Sequence, residues 1–526
     1  MSKYIVFLFV SVFSLITSCQ PKSKLPEQKA RINLVSDPRT LDPRKSRDLS
    51  ERVLMNMLFE GLTREGKNGK SELALAEEVQ VKEEGTRYIF RLKKAFWSNG
   101  DRITAKDFIY AWSTSLDPSF LSENSYQLFC IKNAESIKKG KKPISDLGVI
   151  ALDENTLQID LERPVPYFLE LLSFSIFFPV HEIMDLQGWD LKKNALISSG
   201  PFCLKTWKHS DFIDTVKNNK YWDAKTVHLA GVHLVMVTED TEVRMFEKKE
   251  LDWAGSPIST FPFDLVDGFL KKDLLHLYPM FGTFFFRLNV EKFPFNNVNI
   301  RKAFALAINR KDLVEHVTKG GYSPALCFVP ETMGIKADPY FPDGDEAQAQ
   351  ALFQKGLEEL KITKEQFPIV VFLYCALQKN HAISQAVQQD WRRVLGVSVE
   401  LESNERNIYF ERIGRQDYQI AASSWSADFN DPVNFLGIFK YKKAFTNNTL
   451  WENEEYIDLL DSSELAYGEE RNKILQKCES ILMEEMPIIP IYHQHMRYIK
   501  QDHLKEVAIS SLGNLDFKWA YLDNPK

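Results

Sequence analysis

Apolar positions recur at two spacings along the chain, and the spacing switches repeatedly. "RINLV" from Arg31, "YIFRL" (Tyr88–Leu92) and "NTLQIDL" alternate with period two, the pattern of half-buried strands. "RVLMNMLFEGL" follows the helical period. Asp48 and Glu51 stand at its start with the spacing of a capping box. "ITAKDFIYAWSTSL" predicts a second helix, with Thr104 as cap and Asp107 three residues on. "VPYFLELLSFSIFFPV" predicts a helix running into an apolar strand. Further on, "FFFRLN" predicts a strand, and "NIRKAFALAINRKDLVEHV" a helix with Ile300, Phe304, Ala307 and Ile308 on one face. "PIVVFLY", "HAISQAVQQDWRRVL" and "VSVEL" give strand, helix and strand, a βαβ unit with parallel strands. "YQIAASSW" is another strand, "YIDLLDSSELAYGEERNKILQKCESILMEEM" a helical pair and "IIPIY" a final strand. The pattern is that of an α/β or α+β protein with at least two sheets.

Composition narrows this only a little. At roughly 100–200 residues per domain, 526 residues suggest two to four domains. The net charge of −6 offers no electrostatic reason for nucleic-acid binding. Aromatics reach 12%, which favours thick cores or aromatic-lined cavities. The N-terminus says more. "MSKYIVFLFVSVFSLITSCQ" has one early Lys, an apolar run from Tyr4 to Ile16 and then small residues, the layout of a signal peptide. "ITSC" resembles a bacterial lipobox, which implies cleavage after residue 18 and a lipid on Cys19, with residues 19–30 as a polar tether. The other reading is a plain secretory signal with a chance cysteine. Either way the mature protein is expected outside the cytoplasm. The remaining five cysteines are scattered, with no zinc or C-x-x-C spacing, and read mainly as small buried hydrophobes.

Catalytic motifs fail one by one. "GLTREGKN" (Gly61–Asn68) lacks the Ser/Thr that a phosphate loop needs for Mg²⁺, and a helix precedes it where a strand is required. "HEIMD" (His181–Asp185) lacks the second His of a zinc protease, and "LISSGP" lacks the first Gly of a nucleophile elbow. His493 and His495 in "HQH" share a strand face, but two imidazoles are half a metal site, and buried or solvated histidines are the plainer reading. No metal and no cofactor is expected.

The stretch "SSWSADFNDPVNFL" sets Asp428 just beyond a strand and beside Trp425. Taken alone, Asp428 reads as a turn or helix cap before "NDP". Taken with "LFEGLTR", "FRLKKAFWSNGDRITAKDFIYAWSTSLDP", "SSGPFCLKTW", "NNKYWDAKTVHL" and "PFNNVNIRKAFALAINR", it resembles the extracytoplasmic oligopeptide-binding proteins of ABC importers, over nearly all of residues 31–521. That resemblance implies an α/β, two-lobed periplasmic-binding-protein fold with a third, accessory domain, closing about hinges near 281 and 496. Lobe I would comprise 31–58, 181–281 and 496–526, lobe II 59–180, and lobe III 282–495. It implies a monomeric, lipid-anchored receptor that captures short peptides and hands them to ABC permease subunits, without chemistry of its own.

The resemblance also implies roles. Asp428 matches an ammonium-binding aspartate. Ser424, Ser426 and Ala427 would offer main-chain groups, Trp425 would wall the cleft, and Arg47 and Leu49 of "SRDL" would form the opposing edge. Asn447 matches a polar position lining a side-chain pocket. The other end departs from the family: Ala422 stands where an Arg can bind peptide C-termini, Asn380 aligns with a carboxylate-binding His, and His381 is one residue off. Arg406 replaces an aromatic ring, and Ser426 and Gly282 occupy positions that form a disulfide in some members. Arg406, His381 and Arg412 are the candidate replacements for the missing cation, although Arg406 also reads as a solvated helix-end charge. The other open readings are a different cargo in the same trap (cell-wall peptide, glutathione-like peptide, metal chelate or haem) and an extracytoplasmic hydrolase.

Overall fold

A computed structural model describes residues 28–523 apart from 47, 68, 188, 190–195, 262–264, 320, 336 and 337. Cys19, most of its tether and Arg47 therefore lie outside the described residues.

Three larger sheets organise the α/β chain. In the first, Lys29–Asn33 pairs in parallel with Gly231–Val235, and Phe212–Lys217 and Phe202–Lys208 continue the sheet antiparallel. The second is an antiparallel sheet of Ala76–Lys82, Arg87–Leu92, Thr156–Asp160 and Val149–Asp153, in that spatial order. The third has seven strands. Trp253–Gly255, Ile488–Lys500, His276–Leu288, Ile420–Ser426, Val370–Cys375 and Val399–Asn404 lie side by side, and Ser323–Pro324 pairs with Ile488–Lys500.

Two of these strands have 13 residues each, His276–Leu288 and Ile488–Lys500. They run antiparallel, with register shifts between Pro279 and Thr283 and again after Phe284. They also connect two cores. One buried apolar cluster draws on residues 30–234 and Trp253 together with Tyr498–Ala520. The other draws on Phe281 to Tyr492 with Leu512.

Local chemistry explains most elements. Helix Leu49–Leu58 starts at a capping box of Asp48 and Glu51, and helix Ala105–Leu116 at one of Thr104 and Asp107. Strand Val370–Cys375, helix Gln378–Val394 and parallel strand Val399–Asn404 form the expected βαβ unit, with Ile383, Val387, Trp391 and Val394 buried. Three expectations need correction. The apolar run after Phe168 is not a strand: a short helix Phe168–Leu171 and a 3-10 turn Ser175–Phe177 precede extended residues outside any ladder. Ile176 to Val180 are buried, and a short apolar run has the same composition in a strand as in a packed turn. The helix beginning at Val298 stops at Leu306, because the Asn309 side chain accepts from Asp312 N–H and caps a new start. "IIPIY" is only the first part of its strand, and four two-residue strands follow it. The five described cysteines are free; Cys327 and Cys478 are buried and the others half-buried.

Candidate functional site

Strand Ile420–Ser426 is half covered along one edge. Its pairing with His276–Leu288 runs its full length, from Leu288 opposite Ile420 to Gly282 opposite Ser426. On the other side, Val370–Cys375 pairs only with Ile420 and Ala421. From Ala422 to Ser426 that second edge carries no strand. In an antiparallel pair, backbone groups of alternate residues face alternate sides. Ala427 N–H donates to Phe281 O at 2.7 Å, so the odd-numbered residues serve the existing ladder. The even-numbered ones face outward, and Ala422 O there accepts from the Tyr409 hydroxyl. The peptide groups of Ser424 and Ser426 are thereby left on the open edge, and both residues are exposed. Ala427 spends its N–H on the ladder.

Asp428 follows at the end of this edge. Its N–H donates to Asn434 Oδ1 at 3.2 Å, and Trp425 Nε1 donates to the same oxygen at 3.0 Å. One amide therefore orients both the carboxylate residue and the indole. Among the described residues the Asp428 carboxylate accepts only a long bond from the Tyr126 hydroxyl, 3.4 Å. It forms no ion pair among the described residues. Burial raises its pKa above the usual aspartate value, and Arg52 and Tyr126 hold the rise in check. Arg52 belongs to helix Leu49–Leu58, as does the half-buried Leu49. Its guanidinium lies 4.8 Å from the Phe174 ring and donates weakly to Leu512 O at 3.4 Å.

A hollow of ≈ 750 Å³ opens beside Asp428. Tyr126, Tyr167, Trp425, Phe429, Ile438 and Phe445 supply most of its apolar wall. Tyr167 and Phe429 stack at 4.3 Å, and Arg163 pairs with Glu464 at 3.2 Å, closing the wall from two parts of the chain. Sequence reasoning missed Tyr126, Tyr167 and Arg52. They lie roughly 260–380 residues from Asp428, and no local period marks them.

A second hollow of ≈ 570 Å³ lies at the other end of the open edge. Ala422, Ser423, Ser424, Asn380 and Arg406 line it, and so does Lys379. Asn380 is buried and donates to Cys375 O at 3.2 Å. Arg406 is exposed at the start of helix Arg406–Gly414, with its guanidinium 5.8 Å from the Phe410 ring. His381 does not join this hollow; its exposed ring meets the Tyr374 hydroxyl at 2.6 Å. Arg412 is engaged by Glu402 at 2.7 Å and Asp417 at 3.4 Å.

Asn447 lines neither hollow. It is fully buried (0% exposed), donating to Tyr441 O and Trp451 O and accepting from Thr449. It knits its own loop, while its neighbours Phe445 and Thr446 reach the first hollow. Gly282 and Ser426 face each other across the ladder, and a Cβ on Gly282 would stand 3.3 Å from Ser426 Oγ. His493 meets Thr283 at 2.9 Å and Cys327 at 3.4 Å, and burial lowers its pKa to about 4. Among the described residues no three His, Cys, Asp or Glu side chains come together as metal ligands.

The model for bacterial extracellular solute-binding proteins, family 5, matches residues 70–447. The oligopeptide-binding protein OppA of Bacillus subtilis is 37% identical over 500 residues, covering 93% of this chain and 92% of that protein. Among solved structures, the unliganded open form of the periplasmic murein tripeptide binding protein MppA superimposes with a TM-score of 0.84 at 27% identity, over 95% of this chain and 98% of that one. Listeria monocytogenes OppA bound to peptide gives 0.73 at 28% identity, over 95% and 100%. No helix among the described residues is long and apolar enough to cross a membrane.

Proposed function

The chain belongs to the bacterial extracellular solute-binding proteins of family 5, and on that premise we propose that it captures short, extended peptides by their N-terminal ammonium and main chain. The family serves ABC importers as extracytoplasmic binding proteins and is not one of enzymes.

The observation that carries this reading is the open edge at Ser424 and Ser426, ending at a carboxylate that lacks an ion-pair partner among the described residues. An open strand edge grips any extended backbone and ignores side chains. It needs a register mark, and the feature every unmodified peptide shares is a cationic head. Asp428 supplies the complementary charge in a half-buried setting, where charge-assisted bonds are strong. The MppA fit of 0.84 in an unliganded open form, against 0.73 for a peptide-bound relative, supports the view that the lobes stand apart here. Closing would then swing the halves about the long strands His276–Leu288 and Ile488–Lys500. Helix Leu49–Leu58, with Leu49 and Arg52, would come over the bound main chain. We further assign the protein to the outer side of the membrane, anchored through lipid on Cys19, monomeric, and delivering its cargo to an ABC permease.

Calorimetry with tetra-alanine and N-acetyl-tetra-alanine tests the reading. The free amine is expected to bind well and the acetylated form weakly. Equal affinities would remove Asp428 from its role, and no binding by either would remove the peptide.

A further inference from the structure

A second carboxylate stands behind Arg52. Glu65 ends the short strand Thr63–Glu65 and accepts from the Asn514 side-chain amide, with the Ser510 hydroxyl beside it. Ser510 and Asn514 belong to one turn, in which Gly513 N–H donates to Ser510 O and Ser510 N–H to Asn514 O. The carbonyl at the middle of that turn, Leu512 O, is the one that Arg52 reaches. Asn56, one helical turn beyond Arg52 and so on the same face, borders a cavity of ≈ 30 Å³ together with Glu65, Ser510 and Asn514. That is room for about one water. Glu65 forms no ion pair among the described residues, and its Oε1 is sealed from solvent. Burial lifts its pKa to about 7 against the pull of Asn514, Ser510 and Arg52, and Asp516 adds to the rise. The other charged groups nearby are engaged with one another: Arg64 pairs with Glu60 at 2.6 Å and with Asp516, and Glu72 stands 3.9 Å from Arg64. From strand His276–Leu288 the Tyr278 hydroxyl faces Glu65. Arg52, for its part, has a pKa lowered by burial and held up by Asp428, Glu65 and Tyr126.

One guanidinium thus serves two carboxylates, Asp428 across the cleft and Glu65 behind it. A peptide ammonium arriving at Asp428 satisfies that carboxylate and repels Arg52. Closing brings helix Leu49–Leu58 over the bound main chain and presses the two cations together. A buried charge left without compensation is costly, and a cation released from one carboxylate favours the ionised form of the next. We propose that Glu65 is the receiving carboxylate for Arg52: the peptide ammonium takes Asp428 from Arg52, and Arg52 turns to Glu65, which gives up its proton to solvent as the lobes close. No covalent bond to carbon changes; one O–H bond is lost at Glu65 and the proton passes to the buffer. Arg52 and Glu65 are positioning residues in this step, since neither needs to touch the peptide. The inference rests on the peptide reading above.

The test counts protons. Tetra-alanine is titrated into the full chain at pH 7 by calorimetry in buffers of different ionisation enthalpy, for the wild type, E65Q, R52Q and R52K. A group with a pKa of about 7 is half protonated at that pH, so the wild type is expected to release roughly half a proton more per bound peptide than E65Q. Uptake by the peptide's own amine is common to all four proteins and cancels in the difference. R52Q should lack the release, because nothing then draws Glu65 into its ionised form, and R52K, which keeps a cation, should restore much of it. If E65Q does not fold, R52Q against R52K carries the same comparison. A merely structural role for Glu65 would leave the count in E65Q equal to that of the wild type and overturn the proposal. Equal counts in R52Q and R52K would overturn it too, yet leave the ammonium site standing. Failure of tetra-alanine to bind the wild type would bring down the peptide reading and this one with it.

Discussion

The two ends of one open strand edge differ in almost every chemical respect. At the Asp428 end the wall is aromatic, from Tyr126, Tyr167, Trp425 and Phe429; its other carboxylate, Glu464, is paired with Arg163, which leaves Asp428 as the one without an ion-pair partner among the described residues. At the Ala422 end the wall carries Lys379, Arg406 and two helix starts. Between them the exposed residues are serines, whose main chain is what the edge displays. Under the proposed peptide reading, such an arrangement would select a ligand by polarity along its length rather than by side chain. Its midsection is neutral, and its ends differ in which charged side chains lack an ion-pair partner among the described residues: Asp428 at one, Lys379 and Arg406 at the other.

The largest effect that would break this contrast comes from Asp428→Ala. Loss of one partner of a desolvated ion pair costs on the order of 2–5 kcal/mol, so calorimetry should show free-amine peptides losing roughly 30-fold to several thousand-fold in affinity. N-acetylated peptides should be nearly unchanged.

Acidification should weaken the same end. Burial holds the Asp428 pKa above its usual value in the free protein. A bound ammonium would pull it down again, so the peptide favours the ionised form. Affinity for free-amine peptides is therefore expected to be full near neutral pH and to fall as pH drops through the free-protein pKa, which lies above the usual aspartate value. Asp428→Asn should be weak throughout and should flatten this fall. A wild-type affinity that held level across the range would break the assignment.

Tyr126→Phe sharpens the contrast more gently. It deletes one long hydrogen bond to the carboxylate, worth at most about 1 kcal/mol. Free-amine affinity should change less than tenfold, and the midpoint of its pH dependence should move upward, because the hydroxyl holds the Asp428 pKa down. The smallest effect is expected from Phe445→Ala. Phe445 is almost fully exposed on the rim of the aromatic hollow (92%). Peptides with a large first side chain should lose a few-fold, and glycine-first peptides nothing, in parallel titrations.

Elements with strong local signals were legible before any tertiary arrangement was known. The capping boxes at Asp48 and Thr104 and the βαβ unit around helix Gln378–Val394 all formed as their spacing predicts. The run to Val180 and the break at Asn309 were not, because an apolar run and a polar cap each fit more than one local geometry. Asn447 shows the same limit at the site. Its polarity is compatible with a cleft wall, but its amide is satisfied inside its own loop.

What the sequence determined by itself was the carriers of the chemistry: a strand, an aspartate placed just past its end, an adjoining indole, and the ordered blocks that mark the family. These depend on neighbours in the chain, and short-range spacing encodes them. Tertiary structure decided which edge of that strand stays open, which distant tyrosines and arginine surround Asp428, and that Lys379 stands beside a helix start without a carboxylate partner among the described residues. Those are facts about long-range pairing and about partners that are missing, and a charge's environment depends on what folding brings near it.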